Sequence, residues 1–346
     1  MSSSSRDNAL EALLHPFDQG QLHWPAQALF LRARAGGGLT GRSFVATQAF
    51  RPEAAGLQQR GIALLEEDAL PDAQFPLVLV LPPRQREEAR ALLARACAAV
   101  APGGVVVASV SNDEGAKSRE AELRQLAGSV STLSKHHCRV FWTLPDAVMD
   151  AGLLARWQQL DAPRRIACDG VPGGGFHTRP GVFAWGRVDA ASRMLAAVLP
   201  AGLCGKVADF GAGWGYLSLQ VLARCPQVVS LDLYEADGRA LALARQNLAG
   251  ARVPVGFHWH DVERGVDARF DAIVCNPPFH ALGRGERPDI GRAFIMAAAA
   301  ALKPRGSLWL VANRHLPYED ALGAGFAQVR IAAQDGGFKI VHAVKA

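Results

Sequence analysis

No apolar run in the 346 residues approaches the ~20 needed to cross a bilayer, so no membrane-spanning helix is expected. The opening Met1-Ser-Ser-Ser-Ser-Arg6 lacks the apolar core of a secretory signal. The six cysteines (Cys97, Cys138, Cys168, Cys204, Cys225, Cys275) are scattered, and none forms a Cys-x-x-Cys pair. That argues against bound metal and a disulfide framework, and makes a reducing cytoplasm the expected location. Charge of one sign is also scarce. Residues 1–172 carry 18 Lys/Arg and 18 Asp/Glu, whereas residues 173–346 carry 19 and 14. The net +5 therefore lies in the second half, a mild bias that suits a phosphate-rich partner. What the chain does have is length for two domains and 49% hydrophobic residues to fill their cores.

The most informative stretch is Asp271-Ala-Ile-Val-Cys-Asn276-Pro277-Pro278-Phe279-His280. The apolar run reads as a buried strand, stopped by two prolines that cannot donate to a sheet ladder. Pro277 also holds Asn276 extended. Asn276 is thus expected at the carboxyl end of a strand, where ligands bind in open α/β sheets. Asn-Pro-Pro-Phe after such a strand resembles the motif of methyltransferases that modify exocyclic or amide nitrogens. The chemistry is apt, because a nucleobase amino nitrogen delocalises its lone pair and is a poor nucleophile. Acceptors on its two N–H bonds, the Asn276 side-chain oxygen and the Pro277 carbonyl, would hold it and favour a more pyramidal nitrogen. Phe279, on the stiff loop after Pro278, would stack on the base, a contact worth roughly 1–3 kcal/mol.

A second motif is Lys206-Val-Ala-Asp209-Phe-Gly211-Ala-Gly213-Trp-Gly215, a short strand entering a glycine turn and then a helix. Gly-x-Gly alone also serves dinucleotides. Asp209, two residues before the first glycine, favours the positively charged amino group of S-adenosylmethionine over a pyrophosphate. The next strand, from Val228, ends in acids, of which Glu235 is placed to accept ribose hydroxyls and Asp232 lies within the strand. A third strand, from Val255, leads to Asp261 and Val262, placed to meet the adenine amino group and a ring nitrogen. His258 and His260 share a strand face but lack a third ligand for a metal. Asp189 is a good helix N-cap, and in the methyltransferases that this sequence resembles the segment lids the cofactor, which makes Asp189 and Ser192 secondary candidates.

The first half echoes the second. Pro76-Leu-Val-Leu-Val-Leu-Pro82-Pro83-Arg84 parallels Asp271 to Phe279, with Leu81 at the place of Asn276 and Arg84 at that of Phe279. Helix, Pro-Gly turn and closing strands follow in the same order. No counterpart of the glycine turn is expected there, and Gly36-Gly-Gly38 reads as a plain turn. Further strands are expected at Ala28–Leu31, Ser43–Ala46 and Gly61–Leu65. A helix is expected over Asp146–Leu160, then a linker to Gly175. Arg84, Arg86, Lys135 and Arg139, and in the second half Arg284, Arg287 and Arg292, are candidates to meet RNA phosphates.

The second half resembles, nearly throughout, the bacterial ribosomal RNA guanine-N2 methyltransferases that act on the small subunit. The resemblance rests on Pro180-Gly-Val-Phe183, the Asp209 glycine turn, Asn276 to His280, Val311-Ala-Asn313 with Leu316-Pro-Tyr318, and Gly337-Phe-Lys339. It implies an α/β chain of two tandem Rossmann-like methyltransferase domains, a degenerate one at 1–160 and a catalytic one at 161–346. S-adenosylmethionine is the implied cofactor, and ribosomal RNA or an assembled small subunit the implied partner of a monomer. The segment before Asp189, with Trp185, departs from the family pattern. Large-subunit guanine-N2 enzymes share the motifs. Protein glutamine-N5 methyltransferases differ in carrying Tyr after the prolines and a small helical N-terminal domain. A non-catalytic assembly factor would have no use for Asn276 or Glu235.

Overall fold

The computed structural model describes residues 7–278 and 288–346, in two compact α/β units divided between Ala162 and Pro163. In chain order the first unit runs α1 (Asn8–Asp18), β1 (Ala28–Leu31), β2 (Val45–Ala46), α2 (Arg51–Gln58), β3 (Phe75–Val80), α3 (Arg86–Ala99), β4 (Val100–Ser111), α4 (Ala116–Ala127), β5 (Val130–Lys135), β6 (Cys138–Thr143) and α5 (Ala151–Gln158). The second runs β7 (Arg164–Ala167), β8 (Gly175–Thr178), α6 (Ala190–Val198), β9 (Gly205–Phe210), α7 (Tyr216–Arg224), β10 (Val228–Glu235), α8 (Gly238–Asn247), β11 (Val255–Trp259), β12 (Phe270–Cys275), α9 (Pro288–Ala301), β13 (Leu302–Asn313), α10 (Glu319–Gly325), β14 (Gln328–Asp335) and β15 (Phe338–Val344).

The two sheets repeat one plan. The first has the order β2-β1-β3-β4-β6-β5 and the second β11-β10-β9-β12-β13-β15-β14. The match extends to the edge, because Ala46 bridges Leu64 in parallel where β10 pairs with β11. Both sheets are parallel until a closing antiparallel hairpin, β5–β6 or β14–β15. In the second unit alternate strand residues serve opposite faces, as a period of two requires. Val207, Ala272 and Val274 pack with α6, α7 and α8, while Ala208, Ile273 and Cys275 pack with α9 and α10. A sheet covered on both sides explains the near-continuous apolar strands.

Five expectations need correction. Gly61–Leu65 forms no strand beyond the Leu64 bridge, and the strand expected at Ser43–Ala46 is only two residues long. The helix expected from Asp146 begins at Ala151, because Asp150 is the residue whose side chain takes the Leu153 N–H. The expected linker is folded: β7 and β8 pair antiparallel, and Gly173 and Gly174 turn the hairpin with φ of 82° and 71°. Glycine suits that turn because both positions lie in the left-handed region. The turn after β1 does have a backbone counterpart to the glycine turn. Leu31 pairs with Val80 as Phe210 pairs with Cys275, which makes Arg32, at φ 53°, the counterpart by register of Gly211, at φ 76°.

The two C-terminal motifs meet here. Lys339 of β15 is buried and donates from Nζ to the Leu316 carbonyl (3.1 Å) and to Glu319 Oε1 (3.0 Å). Tyr318 is fully buried, and its hydroxyl lies where a side chain at Gly291 of α9 would begin. Gly291→Ala should therefore overpack this contact and cost about 1–3 kcal/mol in urea unfolding, despite the better helix propensity of alanine. An unchanged or raised midpoint would show that α9 shifts freely against Tyr318.

Candidate active site

Parallel strands put their carboxyl ends on one edge, and the sheet order reverses between β9 and β12, where a crevice opens. Gly211, Ala212, Gly213 and Trp214 line that crevice from one side and Asn276 from the other, with Phe183, Asp189, Ser192, Tyr216 and Leu217 completing the wall. A Cβ on Gly211 would lie 3.5 Å from the Asn276 carbonyl oxygen, so the turn and the strand tip are direct neighbours. Pro277 is buried and Pro278 exposed. Phe279, Arg284 and Arg287 lie outside the described residues. Arg292 is exposed on α9.

The glycine turn is built by its own N–H groups. Gly211 and Ala212 donate to the Tyr234 carbonyl at 2.9 and 3.2 Å, and Gly213 donates to Glu235 Oε2 at 2.7 Å. All three glycines have positive φ, from 55° at Gly213 to 92° at Gly215. Gly215 also abuts Ala244 and Leu248, so a side chain there would press on α8. Glu235 takes a second N–H, from Asp237, at 2.7 Å. It ends β10, whereas Asp232 lies inside the strand against His258 (2.7 Å). His260 bonds the Gly265 carbonyl, and among the described residues no group of three or more His, Cys, Asp or Glu is placed to hold a metal.

Asp209 is completely buried. Its Oδ2 accepts from the Ser218 hydroxyl at 2.7 Å, but Oδ1 has no hydrogen-bond partner. Burial pushes its carboxyl up to about 7, against the pull of Ser218. Burial also pushes Glu235 up to about 7, against the two backbone N–H donors. An unmatched buried carboxylate oxygen beside a crevice fits a cationic ligand group, which would supply the missing charge. The residues present thus fit an amino-acid-bearing cofactor such as S-adenosylmethionine. Asp261 lies two residues beyond the end of β11 instead of on the strand, where it caps a single 3-10 turn through the Glu263 N–H (3.1 Å) and faces Arg264 at 3.5 Å. Val262 is buried in the α9-side core. Neither lines the crevice wall beside Asn276.

The part played by Asn247 and the stacking of Trp214 were not evident from the sequence. Asn247 of α8 accepts the His177 N–H (2.6 Å) and donates to the His177 and Trp214 carbonyls (3.0 and 2.8 Å), tying the β8 strand to the glycine turn. The Trp214 ring stacks on Phe176 of β8 at 3.8 Å. Phe183 is 66% exposed at the crevice. Asp189 caps α6 through the Ser192 N–H (2.8 Å) and also accepts from Asn276 Nδ2 (3.0 Å), which reaches Ser192 Oγ as well (2.7 Å).

In the first unit the equivalent places hold different chemistry. Phe30 stands where Asp209 stands, by the strand register, and is fully buried. Gln48 follows β2 as Glu235 ends β10, and its Oε1 takes the Phe50 N–H (2.9 Å) as Glu235 takes that of Asp237. Leu81 follows β3 as Asn276 follows β12, and is buried. Arg84, Arg86 and Lys135 are exposed, with Arg84 paired to Glu114 (3.9 Å) and Arg86 to Glu122 (3.4 Å), and Arg139 is ion-paired with Glu120.

The methyltransferase small domain family model matches residues 173–342. Over 94% of this chain and 99% of its own length, the ribosomal RNA small subunit methyltransferase C of Hahella chejuensis is 30% identical. That of Psychromonas ingrahamii is 28% identical over 79% of this chain and 77% of its own. A solved T. thermophilus 16S rRNA N2 G1207 methyltransferase, in complex with AdoMet and guanosine, superposes with a TM-score of 0.83. It is 25% identical, and the match covers 99% of this chain and 93% of that one.

Three outcomes follow from the buried acids. Their folded-state values lie above those of the unfolded chain, ~4, so the stability they allow at low pH is lost as pH rises toward 7. A ligand ammonium that needs ionised Asp209 should bind more tightly as pH rises through about 7, with proton release. Calorimetry with S-adenosylmethionine in buffers of different ionisation heat measures this, and proton uptake would contradict it. Glu235→Ala should weaken cofactor binding about tenfold or more, since hydrogen bonds to a charged group are worth about 1.5–3 kcal/mol. An unchanged dissociation constant would remove Glu235 from the site.

Proposed function

The chain belongs to the ribosomal RNA small subunit methyltransferase C family, and on that premise we propose that it moves a methyl group from S-adenosylmethionine to the exocyclic N2 amine of a guanine in 16S ribosomal RNA. The observation that carries this is the crevice itself: the strand tip at Asn276 and the glycine turn from Gly211 to Trp214 line one opening, and Asp209, two residues before that turn, is buried with one carboxylate oxygen unmatched. The target position we infer is the counterpart of G1207, named for the T. thermophilus relative.

The cofactor supplies an electrophilic methyl group on a sulfonium. The protein's residues bind and orient. Asp209 meets the cofactor ammonium, and the backbone at Gly211, Gly213 and Gly215 gives it close approach. Glu235 accepts ribose hydroxyls, and Asp261 with Val262 meets the adenine. Asn276 Oδ1 and the Pro277 carbonyl accept the two N–H bonds of the guanine amine and hold its nitrogen for in-line attack. Pro278 stiffens that turn, and Phe279 stacks on the base, which must leave its helix to enter. Catalysis by placement needs no covalent nucleophile.

The first unit, residues 1–160 in functional terms, we read as a degenerate copy. Phe30, Gln48 and Leu81 replace the two acids and the amide, which removes charge recognition, the anionic ribose acceptor and the amine acceptor together. Its exposed Arg84, Arg86 and Lys135, with Arg139, are offered to RNA phosphates. The reading suits a monomer in the cytoplasm that meets ribosomal RNA or an assembled small subunit.

The test supplies labelled S-adenosylmethionine with undermethylated small subunits, naked 16S RNA or a glutamine-bearing peptide, then identifies the product. N2-methylguanosine is expected, and Asn276→Ala should lower the rate on the order of a hundredfold. Labelled peptide, or no transfer to any substrate, would reject the proposal.

A further inference from the structure

Resting on the reading of Asn276 as the acceptor for the target amine, we propose that Asp189 and Ser192 are positioning residues that decide which end of the Asn276 amide faces that amine. An asparagine amide has a donating and an accepting end of nearly equal size, and rotation by half a turn exchanges them. Presented the wrong way, Asn276 would set N–H against the N–H of the guanine amine. The chain prevents this from behind. Asp189 Oδ2 is an acceptor, already taking the Ser192 N–H at 2.8 Å, so the amide group facing it must be the NH2. Asn276 Nδ2 lies 3.0 Å from that oxygen and 2.7 Å from Ser192 Oγ, and both its protons are thereby used. The carbonyl Oδ1 is left as the outward acceptor.

Capping alone does not explain this arrangement. The cap on α6 needs one hydrogen bond, from the Ser192 backbone to Asp189. The Ser192 hydroxyl adds nothing to it, yet the residue is buried with its Oγ on the Asn276 amide. The first unit serves as an internal control. There Asp7 caps α1 through the Leu10 N–H (3.1 Å), three residues on, as Asp189 caps through Ser192. The acid and its cap persist, with Arg34 as the ionic partner of Asp7 at 3.1 Å. Leucines stand in the other two places: Leu10 for Ser192 and Leu81 for Asn276, both buried in one apolar cluster. Serine is thus present with asparagine and absent without it, while the capping acid is common to both units. A hydroxyl whose work was only to support the helix would have no reason to differ in step with residue 276.

The test separates positioning from folding and from cofactor binding. With donor saturating, Ser192→Ala should lower kcat for guanine methylation about tenfold while the calorimetric Kd for S-adenosylmethionine stays unchanged. Ser192→Thr, which keeps the hydroxyl, should recover most of that rate. In an Asn276→Ala background, Ser192→Ala should have almost no further effect, because nothing remains to be oriented. Asp189→Ser keeps a competent cap and should lower kcat without lowering the melting temperature; it carries the test if Ser192→Ala does not fold. Equal losses in both backgrounds, an unchanged kcat, or a loss that appears in the donor Kd would overturn the assignment. Failure of the underlying reading is seen earlier and separately, as an absence of N2-methylguanosine with the unaltered protein.

Discussion

A backbone that must pass through the left-handed region three times within five residues governs this site. Gly211, Gly213 and Gly215 do so, and the result is that the N–H groups of the turn point at the end of β10. Gly213 thereby holds Glu235, and Gly215 lets α7 and α8 approach. The carboxylates, the crevice and the neighbouring strand tip take their places around that turn. Any side chain with a Cβ would strain it at each of the three points.

The first unit shows how much of the architecture is independent of the chemistry. Its strands follow the same order, a positive φ survives at Arg32, and Ala33 donates to the Thr47 carbonyl as Ala212 donates to that of Tyr234. Arg32 forms an ion pair with Glu88. Replacing buried Asp209 with Phe30 removes a desolvated charge and adds apolar contact, a change that favours stability once no ligand has to be bound.

The strand before Asn276 and the Asp209 turn were legible because both follow local rules: apolar runs of strand length, prolines that cannot join a ladder, glycines where φ must be positive. The internal echo was legible for the same reason, as repeated punctuation. Asn247 was not, because its three hydrogen bonds span up to 70 residues of sequence and nothing in Arg-Gln-Asn-Leu announces them. The β7–β8 hairpin reads as a linker in sequence since its glycines resemble flexible chain and its strands are only four residues each. Gly61–Leu65 reads as a strand from its apolar run, but only Leu64 finds a bridge. Asp189 was legible as a cap, whereas its second bond, to a residue 87 positions away, required the fold.

The sealed position of Asp209 has a bearing on turnover. An amino group belongs to the methyl donor and equally to the thioether left after transfer, so a carboxylate in the role proposed for Asp209 greets both alike. Whatever grip it adds to loading, it also adds to retention of the spent molecule. Discrimination between the two must come from elsewhere in the crevice, where the sulfonium charge has vanished. Inhibition by the spent donor is thus the consequence of the proposed role of Asp209.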